Sequence, residues 1–235
     1  MLEALRKQVC AANLELVRQG LVTLTWGNVS GFDRERGLLV IKPSGVPYDR
    51  LTPASLTIID LEGHVVEGDY APSSDTPTHA QLYRAFPNIG GVVHTHSPHA
   101  TAFAQAGREI PCFGTTHADH FHGAVPVAQL LDEAEVRSAY EANIGAGIVA
   151  RFRHLDPDAI PAVLVAGHGP FVWGPDATRA VENAVALEAV ARLAALTFAL
   201  SPAVTPLPTY LSDKHYNRKH GPGASYGQPR DPRET

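Results

Sequence analysis

The chain alternates between stretches in which apolar residues recur at helical spacing and short apolar runs typical of strands. Over residues 2–19 apolar positions recur every three or four residues and Gly20 follows, which predicts an amphipathic helix with a glycine C-cap. Three β-prone runs separated by glycine, proline and charged turns come next. They predict strands at 21–24, 38–41 and 56–59, followed by a turn at 60–63 and a hairpin return through 64–66.

The rest of the chain mixes longer helical patterns with buried strands. Four helices are predicted, at 77–86, 97–105, 132–150 and 176–200. The first two begin with a capping residue followed by proline, a common helix start. Three strands are predicted, at 89–96, 162–165 and 171–174, the last returning antiparallel. With no internal repeat or visible domain boundary, this mixture predicts a single three-layer α/β domain.

The composition is that of a globular protein and excludes disorder and membrane insertion. Hydrophobic residues make up 44% and charged residues 18% of the 235 positions. The most apolar helical stretch, 180–200, is interrupted by Glu182, Asn183, Glu188 and Arg192, so we expect it to pack in the core rather than to cross a bilayer. Because no basic segment leads into an apolar one at the start, we expect a cytoplasmic protein without a membrane partner.

Charge and cysteine content remove two further possibilities. The net charge of −5 argues against nucleic-acid binding, which depends on clustered lysine and arginine. The two cysteines, Cys10 and Cys112, are too few for a disulfide framework or a thiolate zinc site, so both are predicted to be buried free thiols. Histidine is the informative residue, since seven of the 12 lie between His79 and His122.

Three histidines are candidate metal ligands. His94 and His96 stand at positions i and i+2 of a predicted strand, so their side chains point to the same face. His168 follows another buried strand at a glycine loop, and three imidazoles with an open position are typical of catalytic zinc. Spacing alone also allows a chance HxH pair and a turn histidine. Asp75 could add a carboxylate, although local sequence favours a helix N-cap for it.

Two short segments are candidate anion sites. Lys42, Ser44 and Gly45 follow an apolar strand, where backbone N–H groups can converge on an anion. Ser73 and Ser74 lie just before a predicted helix, whose N-terminus favours phosphate. Together they indicate a phosphorylated small molecule, although each segment alone is also consistent with a plain turn or cap. No dinucleotide-binding or P-loop pattern is present.

The sequence resembles the class II aldolase/epimerase family and, within it, the L-ribulose-5-phosphate 4-epimerases. The resemblance runs from residue 1 to about residue 228. It is carried by LVTLTWGNVS at 21–30, IKPSG at 41–45, PSSDTPTH at 72–79, VHTH at 93–96, GTTHAD at 114–119, HGP at 168–170, DKHY at 213–216 and YGQ at 226–228. It implies a class II aldolase-like α/β/α domain over 1–228 with a mainly antiparallel central sheet, and 229–235 is expected to be a flexible tail.

The resemblance also implies a metal centre and a phosphate site. The metal ligands would be Asp75, His94, His96 and His168, with Zn²⁺ as the cofactor and Mn²⁺ or Co²⁺ as alternatives. The substrate would be a phosphorylated pentulose. Its phosphate would be held by Gly27, Asn28, Lys42, Ser44, Gly45, Ser73 and Ser74.

The same resemblance implies the reaction and the assembly. L-Ribulose 5-phosphate and D-xylulose 5-phosphate would be interconverted at C4 by retro-aldol cleavage and re-addition. Asp119 and Tyr226 would be the acid/base pair, in a homotetramer with sites at subunit interfaces. Secondary site residues would be Thr115, Glu141 and His215.

Two alternatives to an epimerase remain at this point. A class II aldolase would release its aldehyde, but the aldolase relatives carry glutamate where this chain has Asp75. A non-catalytic interaction module on the same fold, as in the adducin head domain, would not need the ligands and Tyr226 that this chain retains.

Overall fold

A single eight-stranded sheet forms the centre of the protein. The structure is a computed structural model that describes residues 1–222 and 224. Its strands are β1 Asn28–Asp33, β2 Leu38–Ile41, β3 Thr57–Asp60, β4 Val65–Glu67, β5 Gly91–His94, β6 Val127–Ala128, β7 Ala162–Val165 and β8 Pro170–Gly174. They are ordered β4-β3-β2-β1-β5-β8-β7-β6, and only β6 and β7 pair in parallel. The prediction of a mainly antiparallel sheet is confirmed.

Helices cover both faces of this sheet. The helices within residues 1–222 are α1 Glu3–Arg18, α2 Thr76–Ala85, α3 Pro98–Gln105, α4 Thr115–Ala118, α5 Glu133–Arg151, α6 Ala177–Leu200 and α7 Thr209–His220, with 3₁₀ turns at Tyr48–Arg50 and Pro53–Ser55. One face packs against α1, α3 and α6, and the other against α2 and α5. The three-layer α/β/α architecture predicted from the sequence is therefore confirmed.

Side chains alternate between the two faces of the sheet along each strand, and this divides the core into two parts. In β5, Val93 packs on the side of α1 and α6, whereas its neighbour Val92 packs on the side of α2 and α5. In β7, Leu164 faces the first side, and Val163 faces the second. Successive strand residues point to opposite faces. Because both faces are covered, these strands are apolar on both sides and match the continuous apolar runs in the sequence.

The long apolar helix α6 packs on the sheet, as the sequence predicts. By length and composition it is the helix within residues 1–222 that could also cross a membrane. Eight of its residues are nevertheless buried, and they face β5, β8, α1 and α3. Cys10 and Cys112 are buried free thiols, which also agrees with the prediction.

Three features differ from the sequence predictions. Residues 21–24 form no strand, and Leu24 has φ 53° and is 75% exposed. The strand lies later, as β1, which the apolar pattern misses because its sequence NVSGFD is half polar. The pattern also misses β6 and α7, and β5 ends at His94 rather than at residue 96. The predicted tail, 229–235, lies outside the described residues.

Candidate functional site

Three imidazoles converge at the end of β5. His94 is the last residue of β5, His96 follows two residues later, and His168 lies in the loop between β7 and β8. The Nε2 atom of His94 is 3.1 Å from Nε2 of His96 and 3.2 Å from Nε2 of His168. Ligand atoms of all three lie within 4.8 Å of one another. The structure thus brings together the three histidines that the sequence singles out.

Hydrogen bonding and burial leave ring nitrogens of this cluster ready to bind a cation. Nδ1 of His94 is 2.9 Å from the carbonyl oxygen of Pro170. Since a carbonyl can only accept, Nδ1 carries the proton and Nε2 presents a lone pair. Burial and the neighbouring His94 lower the pKa of His96, and the same two causes lower the pKa of His168 to about 4. Both rings are therefore neutral at pH 7.

This donor set fits a divalent cation. A tetrahedral zinc ion with Zn–N bonds of about 2.0–2.1 Å holds its nitrogen ligands about 3.4 Å apart. The separations of 3.1 and 3.2 Å between the Nε2 atoms are close to that value. In the tautomers that keep the proton on Nδ1, all three Nε2 lone pairs point to a common centre where a cation can bind. The cluster is therefore a site that can bind a metal ion.

Asp75 lines the same cavity as the histidines, but its carboxylate is not part of their cluster. Its Oδ2 accepts a hydrogen bond of 2.7 Å from Nδ2 of Asn28. Burial raises the pKa of Asp75, but the imidazoles of His94 and His79 and the Asn28 amide outweigh burial and lower that pKa. Asp75 occupies the N-cap position of α2, as the local sequence predicts, but its carboxylate makes no cap bond. The carboxylate instead bonds to Asn28, and both residues line the cavity.

The same cavity is also lined by the candidate phosphate residues. It has a volume of about 390 Å³. The loops at 42–45 and 71–74 are joined by a bridge between Pro43 and Pro72. This bridge explains why segments 30 residues apart in sequence form one wall. All seven residues that the resemblance implies for the phosphate border this cavity, namely Gly27, Asn28, Lys42, Ser44, Gly45, Ser73 and Ser74.

Lys42 supplies a buried positive charge to this wall. The side chain is 2% exposed, and burial lowers the pKa of its ammonium. Nζ lies 4.9 Å from the centre of the Tyr48 ring and 3.4 Å from the carbonyl oxygen of Pro43. These are weak partners for a buried cation, which is costly to remove from water. An anionic ligand in the cavity would stabilise it.

Gly27 and Asn28 join the phosphate wall to the metal cluster. Gly27 has φ +92°, and a Cβ there would lie 2.8 Å from the carbonyl oxygen of His94, so a side chain would push the two strands apart. Asn28 donates to both Asp75 and Ser73. Its buried Oδ1 has no hydrogen-bond partner among the described residues. A buried acceptor of this kind can bind a ligand hydroxyl.

Of the two proposed acid/base residues, the structure describes only Asp119, which does not line this cavity. Asp119 follows α4 and borders a separate cavity of about 610 Å³. Its carboxylate accepts from Nε and Nη2 of Arg218, at 3.0 and 2.7 Å, and from Nδ1 of His215 at 3.2 Å. Burial raises the pKa of Asp119, but these bonds outweigh burial and lower it. Tyr226 lies outside the described residues.

The remaining secondary residues are divided between the two regions. Glu141 borders the histidine cavity, and its carbonyl oxygen accepts a 2.6 Å bond from Thr78. His215 contacts Asp119, and Thr115 begins α4, where its carbonyl oxygen accepts the backbone N–H of Asp119. Of the three, the structure brings only Glu141 to the metal cluster.

Most of the other histidines in the dense segment have structural partners. His79 is fully buried and its Nδ1 lies 2.7 Å from Oγ of Ser30, while burial lowers its pKa to about 3. His117 is bonded to the carbonyl oxygen of Gly123. The density of histidines in the sequence is therefore a weaker signal than the HxH spacing. One residue beside the cluster, Tyr140, has no motif around it and is missed by sequence reasoning.

Comparison with known sequences gives the same family. The family model described as "Class II Aldolase and Adducin N-terminal domain" matches residues 7–195. The chain is 53% identical over 227 residues to the L-ribulose-5-phosphate 4-epimerase UlaF of Salmonella paratyphi B, covering 97% of this chain and 100% of that protein. The protein of the same name from Salmonella typhi has the same identity and coverage.

Solved structures share the fold. An L-fuculose 1-phosphate aldolase superposes with a TM-score of 0.75 at 25% identity, covering 92% of this chain and 95% of that one. YgbL of Escherichia coli, described as a putative aldolase/epimerase/decarboxylase, gives a TM-score of 0.69 at 26% identity over 90% of this chain and 97% of its own. The family match spans most of the chain, and the histidine cavity lies within it. The chain therefore belongs to the class II aldolase and adducin N-terminal domain family.

Proposed function

We propose that the protein is a metal-dependent epimerase that interconverts L-ribulose 5-phosphate and D-xylulose 5-phosphate by inverting C4. The observation that carries this proposal is one cavity lined both by a three-imidazole cluster and by the buried, weakly partnered Lys42. Such a cavity suits a sugar phosphate, which offers oxygens to a cation and a phosphate to the lysine. A relative 53% identical over nearly the full length carries the same activity in its name.

The position of C4 dictates the chemical route. C4 is β to the C2 carbonyl, so a carbanion at C4 could not delocalise into that carbonyl. Oxidation at C4 would need a hydride acceptor, and the chain has no dinucleotide fingerprint. Cleavage of the C3–C4 bond gives the enediolate of dihydroxyacetone and glycolaldehyde phosphate. When the aldehyde rotates before the bond re-forms, C4 is inverted and no atom is gained or lost.

Different residues of the cavity would bind different parts of the substrate. When bound, a divalent cation, which we propose to be zinc, supplies a Lewis acid for the substrate oxygens at C2 and C3. His94, His96 and His168 would hold that cation, with Asp75 beside them. Lys42 and the serines of the two joined loops would hold the phosphate. The phosphate anchor keeps the aldehyde fragment in the cavity between cleavage and re-addition.

The reaction also needs a proton acceptor and a proton donor on opposite sides of C4. The C4 hydroxyl loses its proton on cleavage, and the new alkoxide gains one on the other face. We assign these roles to Asp119 and Tyr226 of a neighbouring subunit in a homotetramer. The separate position of Asp119 within one chain supports a contribution from a neighbour. Because its substrate is a charged sugar phosphate, we expect the enzyme to act in the cytoplasm.

A coupled assay with L-ribulose 5-phosphate tests the proposed function. We expect D-xylulose 5-phosphate as the product and no accumulation of glycolaldehyde phosphate. Accumulation of that aldehyde with dihydroxyacetone would identify an aldolase instead. Absence of both products from metal-loaded protein would favour a non-catalytic interaction module.

Isotope labelling tests the route independently of the product. In C3–C4 cleavage the hydrogen on C4 becomes the aldehyde hydrogen and never leaves its carbon. Substrate deuterated at C4 is therefore expected to give D-xylulose 5-phosphate with the label retained in ordinary water. Loss of the label to solvent would exclude the retro-aldol route.

A further inference from the structure

The outer nitrogens of two imidazoles in the metal cluster are held in different ways. Nδ1 of His94 is bonded to the backbone carbonyl of Pro170. Nδ1 of His168 lies 3.1 Å from the hydroxyl of Tyr140. The Tyr140 ring is parallel to the His168 ring, with an interplanar angle of 2° and centroids 6.1 Å apart. His168 therefore depends on a side chain for the anchor that His94 receives from the main chain.

The direction of the Tyr140 bond follows from the role of His168. Nε2 of His168 faces the cluster, and as a ligand it must present a lone pair there. The neutral ring then carries its proton on Nδ1, which donates to the Tyr140 oxygen. Removing that oxygen would leave Nδ1–H without its acceptor. The ring could then flip or adopt the tautomer that has a proton on Nε2, and neither state binds a cation.

A break in α5 brings Tyr140 to this position. The residue before it, Ala139, has φ −146° and ψ 70°, which interrupts the helix. Nδ2 of Asn143 spans the break by donating to the carbonyl oxygen of Glu135 and to Oγ of Ser138, at 2.7 and 3.1 Å. These bonds join the two sides of the break. Tyr140, the first residue after the break, lines the cavity.

The far side of the break is attached to the neighbouring helix. Oγ1 of Thr78 in α2 donates a 2.6 Å bond to the carbonyl oxygen of Glu141. At Gly145, one turn further on, a Cβ would lie 2.7 Å from Cβ of Gln81 in α2. This close packing holds α5 against α2 immediately after Tyr140. Tyr140 thus stands on a rigid support, as a residue that positions a ligand should.

We propose that Tyr140 is a positioning residue for His168: its phenol oxygen keeps the imidazole in the tautomer and orientation that bind the divalent cation. The inference rests on the proposed function only in taking the histidine cluster as the metal site. It assigns Tyr140 no contact with the reacting atoms. An acceptor bonded to a metal-binding histidine typically changes metal affinity by 10- to 100-fold when removed. Because this bond is partly exposed to solvent, we expect about 10-fold.

Metal affinity of the apoprotein is the direct test. Co²⁺ and Zn²⁺ are titrated into metal-free protein against a competing chelator, for wild type, Tyr140→Phe and Tyr140→Leu. The Phe variant keeps the ring and loses only the oxygen, and we expect its Kd to rise about 10-fold. The Leu variant should bind no more tightly than the Phe variant. The control Tyr70→Phe removes a hydroxyl from a half-exposed tyrosine outside the cavity and should bind as wild type does.

Four results would overturn the proposal. Wild-type affinity in Tyr140→Phe would show that the oxygen has no role, and weak binding confined to Tyr140→Leu would assign the effect to ring packing. A metal-free Tyr140→Phe protein with a lowered melting temperature would point to a structural defect. If wild type itself bound no cation, the metal site of the proposed function would fail together with this inference. If wild type bound one cation per chain without epimerase activity, only the proposed function would fail.

Discussion

Lys42→Met should make the protein more stable and a poorer enzyme at the same time. Lys42 directly follows β2, is 2% exposed and has no carboxylate partner within ion-pair distance among the described residues. Methionine has nearly the same length and volume but no charge. The substitution therefore removes a desolvated cation and leaves the packing in place.

The stability change follows from the burial of the charge. Replacing a buried charge by an apolar side chain of similar volume is often neutral or stabilising by about 1–4 kcal/mol. Because Nζ borders the cavity and lies over the Tyr48 ring, we expect the low end, about 1 kcal/mol, or a rise in Tm of about 2–4 °C for a chain of this size.

The stability difference between Lys42→Met and wild type should depend on pH. Burial lowers the pKa of Lys42 in the folded state, so the unfolded chain binds this proton more tightly. The destabilisation is fully present below the folded pKa. It disappears as the pH rises through the folded and then the unfolded pKa. The stability advantage of Lys42→Met over wild type should therefore shrink in alkaline solution.

The catalytic change has the opposite sign. A hydrogen bond to a charged group contributes about 1.5–3 kcal/mol, which is about a 10- to 100-fold change in affinity. The phosphate does not react, so its contact is equally strong in the bound substrate and in the transition state. Loss of the contact should raise KM by that factor and leave kcat nearly unchanged.

Thermal melts of the apoprotein and initial rates over a range of L-ribulose 5-phosphate concentrations measure the two effects. The matched control is Lys7→Met, at an exposed lysine paired with Glu3 on α1, which should change both quantities little. If the Lys42→Met protein melted at a lower temperature than wild type, burial of the Lys42 charge would not be destabilising as argued here. An unchanged KM would refute the phosphate contact.

Three further predictions follow from other contacts. His96→Ala should lose both metal and activity while remaining folded, as metal analysis and circular dichroism would detect, whereas the exposed His64→Ala should lose neither. Glu188→Ala should lower the free energy of unfolding by about 1–2 kcal/mol in denaturant titrations, because this carboxylate accepts hydrogen bonds from the first backbone N–H groups of α3. The control is Glu182→Ala, at an exposed glutamate, and an equally small loss of stability in both variants would contradict the prediction. Mixing inactive Tyr226→Phe and His96→Ala subunits should restore part of the activity if the two residues act across an interface, and no recovery in verified mixed tetramers would rule that out.

The sequence predicts the His94–His96 pair well because its geometry is local, whereas His168 joins the pair only through the pairing of β5 with β8. Histidines at i and i+2 of extended chain point to the same side, and their Nε2 atoms are 3.1 Å apart even though β5 ends at His94. Apolar runs likewise predict the buried strands β2, β5 and β7, since both faces of the sheet are covered. These inferences need no knowledge of distant contacts.

What the sequence does not predict depends on such contacts. β1 is half polar because Asn28 and Ser30 turn their side chains to the buried polar partners Asp75 and His79, so its pattern does not alternate as a strand should. Tyr140 reaches His168 only because α5 breaks at the residue before it, and no proline or glycine marks that break. Asp75 is expected to cap a helix locally, but tertiary contacts redirect its carboxylate to Asn28.

The contacts of α7 position Asp119, the proposed base. Arg218 and His215 bind the Asp119 carboxylate, and His220 bonds to the Asp119 carbonyl oxygen. The helix ends at His220, and Tyr226 follows six residues later. One helix thus holds the carboxylate of Asp119, the proposed base, while the three histidines and Lys42 line a separate cavity. Assembly that brings these two parts together would then be a requirement of catalysis itself.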